Sequence, residues 1–413
     1  MKRTMIAGVL TGVLLALTAC GTEEPPPAAE ALSPELRLTH GQDGPIRIGV
    51  LVPPVEGEGS EFRSMIEGVR VAGYRFDLGG TEVEYQVALD DGTADGARAA
   101  MSSLLDAGVA GVVMAAEGEH TTSALALADQ AETAVLLPYT DAGSATAWSL
   151  APSTEAVVTQ IEAGLVEADA ERPYLAVAEG RAPDINATRT GTLGDATALA
   201  DEIIAALEAR EIDSVVIDAA AEQQAALVVA LQGRLGARQL PIVLTPEALT
   251  PAFGDLLSSG GTTAGWLYSA GTDSGDHVSA AESEQGEYGA VFFAALRLAA
   301  GDVDCLNVYG DDSCAAGAPR ADVASHDAAV ALVRAVDEAE STDPAQVRVA
   351  LESLRLDHTD GLAGPALDFG RTQALSDDDV VVLHASTSDP GLRPLDPQGA
   401  AAASLFWFVG KAS

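Results

Sequence analysis

Ile46-Arg47-Ile48-Gly49-Val50-Leu51-Val52-Pro53 is the stretch on which the fold turns. Seven β-rich residues lie between Pro45 and Pro53, which reads as a strand. Residues 60–72 then carry Met65, Val69 and Ala72 on one helical face. Residues 82–89 alternate as Val83, Tyr85, Val87 and Leu89, a second strand. The turn Asp90-Asp91-Gly92-Thr93 leads to an Ala/Leu helix over 97–107, and residues 109–114 form an apolar third strand. A helix over 123–132 and a strand over 134–137, stopped by Pro138, complete the series. Strand and helix alternate, so the strands are parallel and joined by right-handed crossovers.

The second half repeats the theme. Strands are expected over 174–177, 214–217 and 242–244, with helices over 196–210 and 223–235. Two longer helices, 287–300 and 328–339, a short one over 344–354, and late strands over 380–383 and 405–409 follow. The sum is an α/β chain of two Rossmann-like lobes. A length of 413 residues agrees with two domains.

Composition excludes several function classes. Hydrophobic residues at 47% and charged residues at 20% describe a globular chain, not a disordered one. The net charge is −40 and Lys2 and Lys411 are the two lysines, so no basic footprint exists for nucleic acid. Binding to an anionic membrane surface by charge is excluded on the same ground.

The N-terminus sets the compartment. Lys2 and Arg3 precede an apolar run over 5–17, too short to span a ~30 Å hydrocarbon core but the length of a signal-peptide core. Leu17-Thr18-Ala19-Cys20 resembles the bacterial lipobox, which makes Cys20 the lipidated first residue of the mature chain. Residues 1–19 are thus the signal peptide. Residues 20–45, with Glu23-Glu24-Pro25-Pro26-Pro27, form a lipid-anchored tether. The expected location is the extracytoplasmic face of a bacterial cell membrane, held there by the lipid alone. Outside the cytoplasm Cys305 and Cys314 read as a disulfide. No histidine lies near enough to complete a zinc site with them.

Catalytic patterns are missing. There is no G-x-S-x-G elbow, no H-E-x-x-H and no Walker lysine, and Gly57-Glu58-Gly59 lacks the third glycine of a dinucleotide loop. The histidines at 40, 120, 277, 326, 358 and 384 are scattered. The expectation is a non-enzyme with no cofactor and no metal.

Several segments, in order, resemble one family. They are 46–53, Ser64-Met65 with Gly68, Asp90-Asp91-Gly92-Thr93 with Ala97-Arg98-Ala99, Leu136-Leu137-Pro138 and Ala151-Pro152-Ser153. Further on come Ser325-His326-Asp327-Ala328-Ala329, Ser341-Thr342-Asp343-Pro344, and Gly361 to Pro365 with Leu367-Asp368-Phe369. Together they resemble the type I periplasmic binding proteins, in particular the leucine/isoleucine/valine-binding group that serves ABC importers. The resemblance implies two lobes joined by a three-crossing hinge, with crossings near 140–150, 265–275 and 364–371. Lobe one would comprise 46–149 and 272–367, lobe two 150–271 and 368–413. A small-molecule ligand would sit in the cleft and an ABC permease of the cell membrane would be the partner.

The resemblance also carries site positions. The loop after the third strand places His120, Thr121 and Thr122 where the family offers hydroxyls to an amino-acid carboxylate. Capping of the following helix is the other reading of the two threonines. Asp141 falls where a carboxylate-binding threonine is usual, or is an exposed turn residue. Thr245-Pro246-Glu247 resembles the family's "G-P-E-G", whose glutamate holds the ligand ammonium; a helix N-terminal Glu is the other reading. Phe62 and Tyr139 either line the cleft or belong to the core.

One departure stands out. Between the strand at 174–177 and the helix at 196–210 the family has a whole helix and strand, opened by a ligand tyrosine. Here 178–195 is polar and Gly/Pro-bearing, so one βα unit reads as lost and lobe two as shortened. With Asp141 and Glu247 in the cleft and no Arg or Lys at the transferred positions, the expected ligand is a cationic or amine-bearing polar solute. Phe62 or Tyr139 would cover its positive head group. The alternative expectation is a surface sensory or protein-binding lipoprotein with a degenerate binding-protein fold.

Overall fold

The computed structural model describes residues 32–410 except 43, 57–58, 141–143, 237, 263–264 and 396–404. Cys20, the signal peptide and most of the tether lie outside the described residues.

The first sheet has five strands in the order β2-β1-β3-β4-β5, all parallel. They are β1 Ile46–Val52, β2 Val83–Leu89, β3 Gly111–Met114, β4 Val135–Leu137 and β5 Ala147–Ser149. Both faces of β1 and β3 are covered by helices, which is why these strands, apart from the exposed Arg47 of β1, are apolar or glycine and do not alternate. The second sheet begins with β6 Pro173–Ala178, β7 Arg189–Leu193, β8 Ser214–Asp218, β9 Ile242–Leu244 and β10 Leu267–Thr272. After a small antiparallel pair, β11 Arg355–Leu356 and β12 Leu367–Asp368, it gains β13 Val380–Ser386 and β14 Phe406–Phe408. Its order is β14-β13-β10-β9-β8-β6-β7, with β13 antiparallel to both its neighbours, β10 and β14, and the other pairs parallel.

The long helix Val323–Ala339 is buried against the first sheet and the helix Gly68–Leu78. That packing uses glycine: a Cβ on Gly68 would lie 2.1 Å from the Asp322 carbonyl oxygen and 2.9 Å from the His326 nitrogen. The two helices cross at backbone contact, which seats the N-terminus of Val323–Ala339, with Asp322, against the first sheet's loops.

Two expectations are corrected here. The departure after β6 is a missing helix, not a missing βα unit. Residues 189–193 form β7, paired in parallel with β6 from Tyr174↔Arg189 to Ala178↔Leu193, and residues 179–188 cross directly between them. β7 is an edge strand whose residues before Leu193 are exposed or half-buried, so it carries no apolar signal. The last passage between sheets also falls later than 364–371. Leu367, Phe369, Ala374 and Leu375 pack in the first sheet's core, and the Ala374 N–H donates to the Ser149 carbonyl at 2.9 Å. The chain enters β13 only at Val380.

Cys305 and Cys314 form a disulfide with Cα atoms 5.4 Å apart, and the Cys314 N–H donates to the Cys305 carbonyl at 2.9 Å. Among the described residues no helix is long and apolar enough to cross a membrane, and no group of His, Cys, Asp or Glu is gathered to hold a metal ion.

Candidate functional site

In an open parallel sheet, ligands bind beyond the carboxyl ends of the strands where the winding direction reverses. In the first sheet that point lies between β1 and β3; Phe62, which opens the short helix Phe62–Met65, follows β1, and Glu117 follows β3. In the second it lies between β6 and β8; Arg181 follows β6, and Asp218 is the last residue of β8. All four residues line one cavity of about 650 Å³ between the sheets. That volume is within the ~300–1,000 Å³ of small-molecule sites.

The cavity has a charged end and an apolar wall. At the charged end Arg181 donates through Nη1 to Asp218 Oδ1 at 2.8 Å and to Glu247 Oε1. Burial works against the Arg181 charge, but the two carboxylates outweigh it and raise its pKa. Burial lifts the Asp218 carboxyl, opposed by Arg181. The second oxygen of Glu247, Oε2, is buried with no hydrogen-bond partner. The wall comes from the helix Thr154–Glu167, whose Val157, Val158 and Ile161 face the cavity beside Ile185 of the 179–188 crossing. Phe406 and Trp407 of β14 line it too.

On the first sheet's side Phe62 and Tyr139 stack with centroids 4.3 Å apart and planes 8° from parallel. The Tyr139 hydroxyl donates to Asp322 Oδ1 at 3.0 Å. Asp322 also caps the helix Val323–Ala339, accepting from the Ser325 N–H at 3.1 Å. Burial raises its pKa to about 6, against the hydrogen bonds that favour its charge. A further pair, Arg393 and Asp276, closes one side of the cavity.

Of the positions expected from the sequence, Phe62, Tyr139 and Glu247 line this cavity. His120, Thr121 and Thr122 do not. The His120 Nε2 turns away to the buried Asp90 carboxylate at 2.5 Å. The Thr121 hydroxyl donates to the Gly118 carbonyl at 2.8 Å, and no side-chain bond caps the following helix. Thr122 is exposed on that helix's first turn. Asp141 lies outside the described residues. The absence of Arg at the transferred positions does not make the cavity free of cations, because Arg181 and Arg393 enter from segments outside the motifs that resemble the family. Asp218 was within reach of sequence reasoning, since a lone carboxylate ends an apolar strand there. Arg181 and Arg393 sit in irregular segments and carried no such signal.

Neither a protein-family model nor a curated protein matches the sequence. Solved structures do match. A type 1 periplasmic binding protein from Bordetella pertussis aligns over 86% of this chain and 100% of its own at 16% identity, with a TM-score of 0.58. A solute-binding protein of an ABC transporter from Rhodopseudomonas palustris, in complex with 4-hydroxybenzoate, aligns over 86% and 96% at 14% identity, TM-score 0.60. The branched-chain amino acid substrate-binding protein LivJ from Streptococcus pneumoniae, in complex with isoleucine, aligns over 85% and 100% at 14% identity, TM-score 0.59. The chain has the type I periplasmic binding protein fold, and these neighbours are binding proteins, two of them with a small molecule bound.

Proposed function

We propose that this chain is an extracytoplasmic, lipid-anchored solute-binding protein of an ABC importer, with no enzymatic activity of its own. It captures a small polar ligand, an amino acid or amine-like solute, between lobes built on the two sheets and presents it to a membrane permease. The observation that carries this reading is the cavity at the two winding-reversal points, lined from both sheets and by partly buried charged side chains. Hinge closure of such lobes is the ordinary mechanism of capture. The second reading is a surface sensory or protein-binding lipoprotein with a degenerate binding-protein fold; against degeneration, the segment that replaces the missing helix supplies Arg181 and Ile185 to the cavity wall. The proposed lobes are 46–149 with 272 to about 376, and 150–271 with the residues after about 376, the last boundary set later than 367 by the packing of Leu375 in the first sheet's core.

A thermal-shift screen of amino acids, amines and aromatic acids tests the binding reading. At least one compound is expected to raise the melting temperature by several degrees, since a ligand at 100 times its Kd adds about 2.7 kcal/mol. A screen in which no solute shifts the transition counts against capture. The anchor is tested separately. Cys20→Ala is expected to leave the protein unprocessed or released from the membrane fraction, and a variant that still incorporates labelled fatty acid refutes the assignment.

A further inference from the structure

We infer that the cavity selects a singly charged, amphipathic amine, and that Arg181 is the residue that sets the selection against doubly charged ones. This rests on the proposed ligand-binding reading and names its substrate class. The charged end contains two carboxylates, Asp218 and Glu247, and one guanidinium, Arg181. One negative charge is left over at this end. Of the other charged side chains at the cavity, Asp276 is matched by Arg393, Asp322 accepts from the Tyr139 hydroxyl and the Ser325 N–H, and Glu117 stands on the first sheet's side. Arg181 makes both of its bonds through Nη1 and touches Glu247 only at Oε1, which leaves Oε2 buried without a donor. A buried carboxylate oxygen without a donor carries a free-energy cost that an ammonium removes.

The rest of the cavity decides what the ammonium is attached to. Val157, Val158, Ile161 and Ile185 offer an apolar surface with no partner for a second charge. An alkyl or aryl body gains there by leaving water, whereas a second ammonium would lose its hydration uncompensated. A carboxylate on the same body would meet the residual negative charge. The crossing 179–188 provides Arg181 and Ile185 together, so the segment that replaces the helix sets both the charge count and part of the wall.

Calorimetry with three probes of one chain length tests the inference: n-hexylamine, 1,6-diaminohexane and hexanoate, at pH 7. Wild-type protein is expected to bind hexylamine at least tenfold more tightly than either of the others. Arg181→Met leaves two unmatched carboxylates and is expected to shift the monoamine-to-diamine ratio at least tenfold toward the diamine. Arg181→Lys keeps the charge count and the wild-type order. Should Arg181→Met not fold, Glu247→Gln serves instead, with hexylamine affinity expected to fall at least tenfold. Hexanoate binding as tightly as hexylamine, or a ratio unmoved in folded Arg181→Met, overturns the inference. Failure of all three probes to bind the wild type also overturns it, while a hit in the wider solute screen would leave the ligand-binding reading standing.

Discussion

Replacing His326 with leucine is expected to destabilise the protein by about 3–6 kcal/mol, because two buried charged groups each lose a hydrogen bond worth about 1.5–3 kcal/mol. His326 is fully buried at the start of the helix Val323–Ala339. Arg75, itself buried, donates through Nη1 to His326 Nε2 at 3.0 Å and to the Gly361 carbonyl at 2.7 Å. A guanidinium has no acceptor, so Nε2 must be the unprotonated nitrogen and Nδ1 carries the proton. Nδ1 then donates to Asp327 Oδ1 at 2.7 Å. The Asp327 oxygens also receive the Ala363 and Gly364 N–H groups at 2.9 and 2.8 Å. One neutral imidazole thus connects a buried cation to a buried anion, and through Pro34, which accepts from Arg75 Nε at 2.9 Å, to the N-terminal segment.

The tautomer gives this loss a pH dependence of definite sign. Burial lowers the His326 pKa below 6.5. The unfolded chain therefore takes up a proton below about pH 6.5 that the folded chain refuses, and the stability His326 contributes is complete above that pH and lost as pH falls below it. The buried carboxyls of Glu67, raised to about 7, and Asp322, raised to about 6, act in the opposite direction. They are present in both proteins and cancel in the difference. Urea denaturation at pH 7.5 and 5.5 should show a wild-type advantage over His326→Leu that shrinks at the lower pH. An equal advantage at both would mean that the imidazole is not held neutral.

The alternating pattern of the first 140 residues showed the fold because β1 and β3 are buried on both faces and their helices on one. Those are the cases in which apolar periodicity is strongest. β5 has three residues and β7 is a half-exposed edge, and neither length nor burial gave them a pattern. Position 326 lies in a segment that carries the family resemblance, yet the sequence held no sign of Arg75, 251 residues away, as its partner. The site divided in the same way. Glu247, Phe62 and Tyr139 follow strands or motifs with a fixed place in the fold. Arg181, Asp322 and Arg393 reach the cavity through long-range contacts from a loop, a helix cap and an excursion between two strands, and no local rule predicts where such side chains point.

Arg393→Ala is expected to cost a further 3–5 kcal/mol by a different route, the exposure of a buried carboxylate to an environment without its counter-charge. Arg393 belongs to the connection between β13 and β14, strands of the second sheet, yet its neighbours belong to the first. Leu392 packs against the apolar cluster that contains Phe292 and Phe293, and its carbonyl accepts from Arg297 Nε at 2.7 Å. The Arg393 guanidinium lies 5.2 Å from the Phe293 ring centre and donates to the Pro319 and Ala321 carbonyls at 3.1 and 2.8 Å. Its other edge takes Asp276 through Nε at 2.9 Å and Nη2 at 3.0 Å, a planar fork that lysine cannot reproduce. Asp276 is only 6% exposed, so truncating the arginine leaves its charge with little access to water. The contact therefore joins an excursion of the second sheet to the first sheet's helices at the edge of the cavity. The loss should change little with added salt, because a buried pair is poorly screened. A double-mutant cycle separates the charge from the packing. Asp276→Asn in the Arg393→Ala background should recover part of the loss, since it removes the uncompensated carboxylate. No recovery would place the whole cost in the lost contacts to Phe293, Pro319 and Ala321, and would mean that the ion pair itself does not hold the excursion in place.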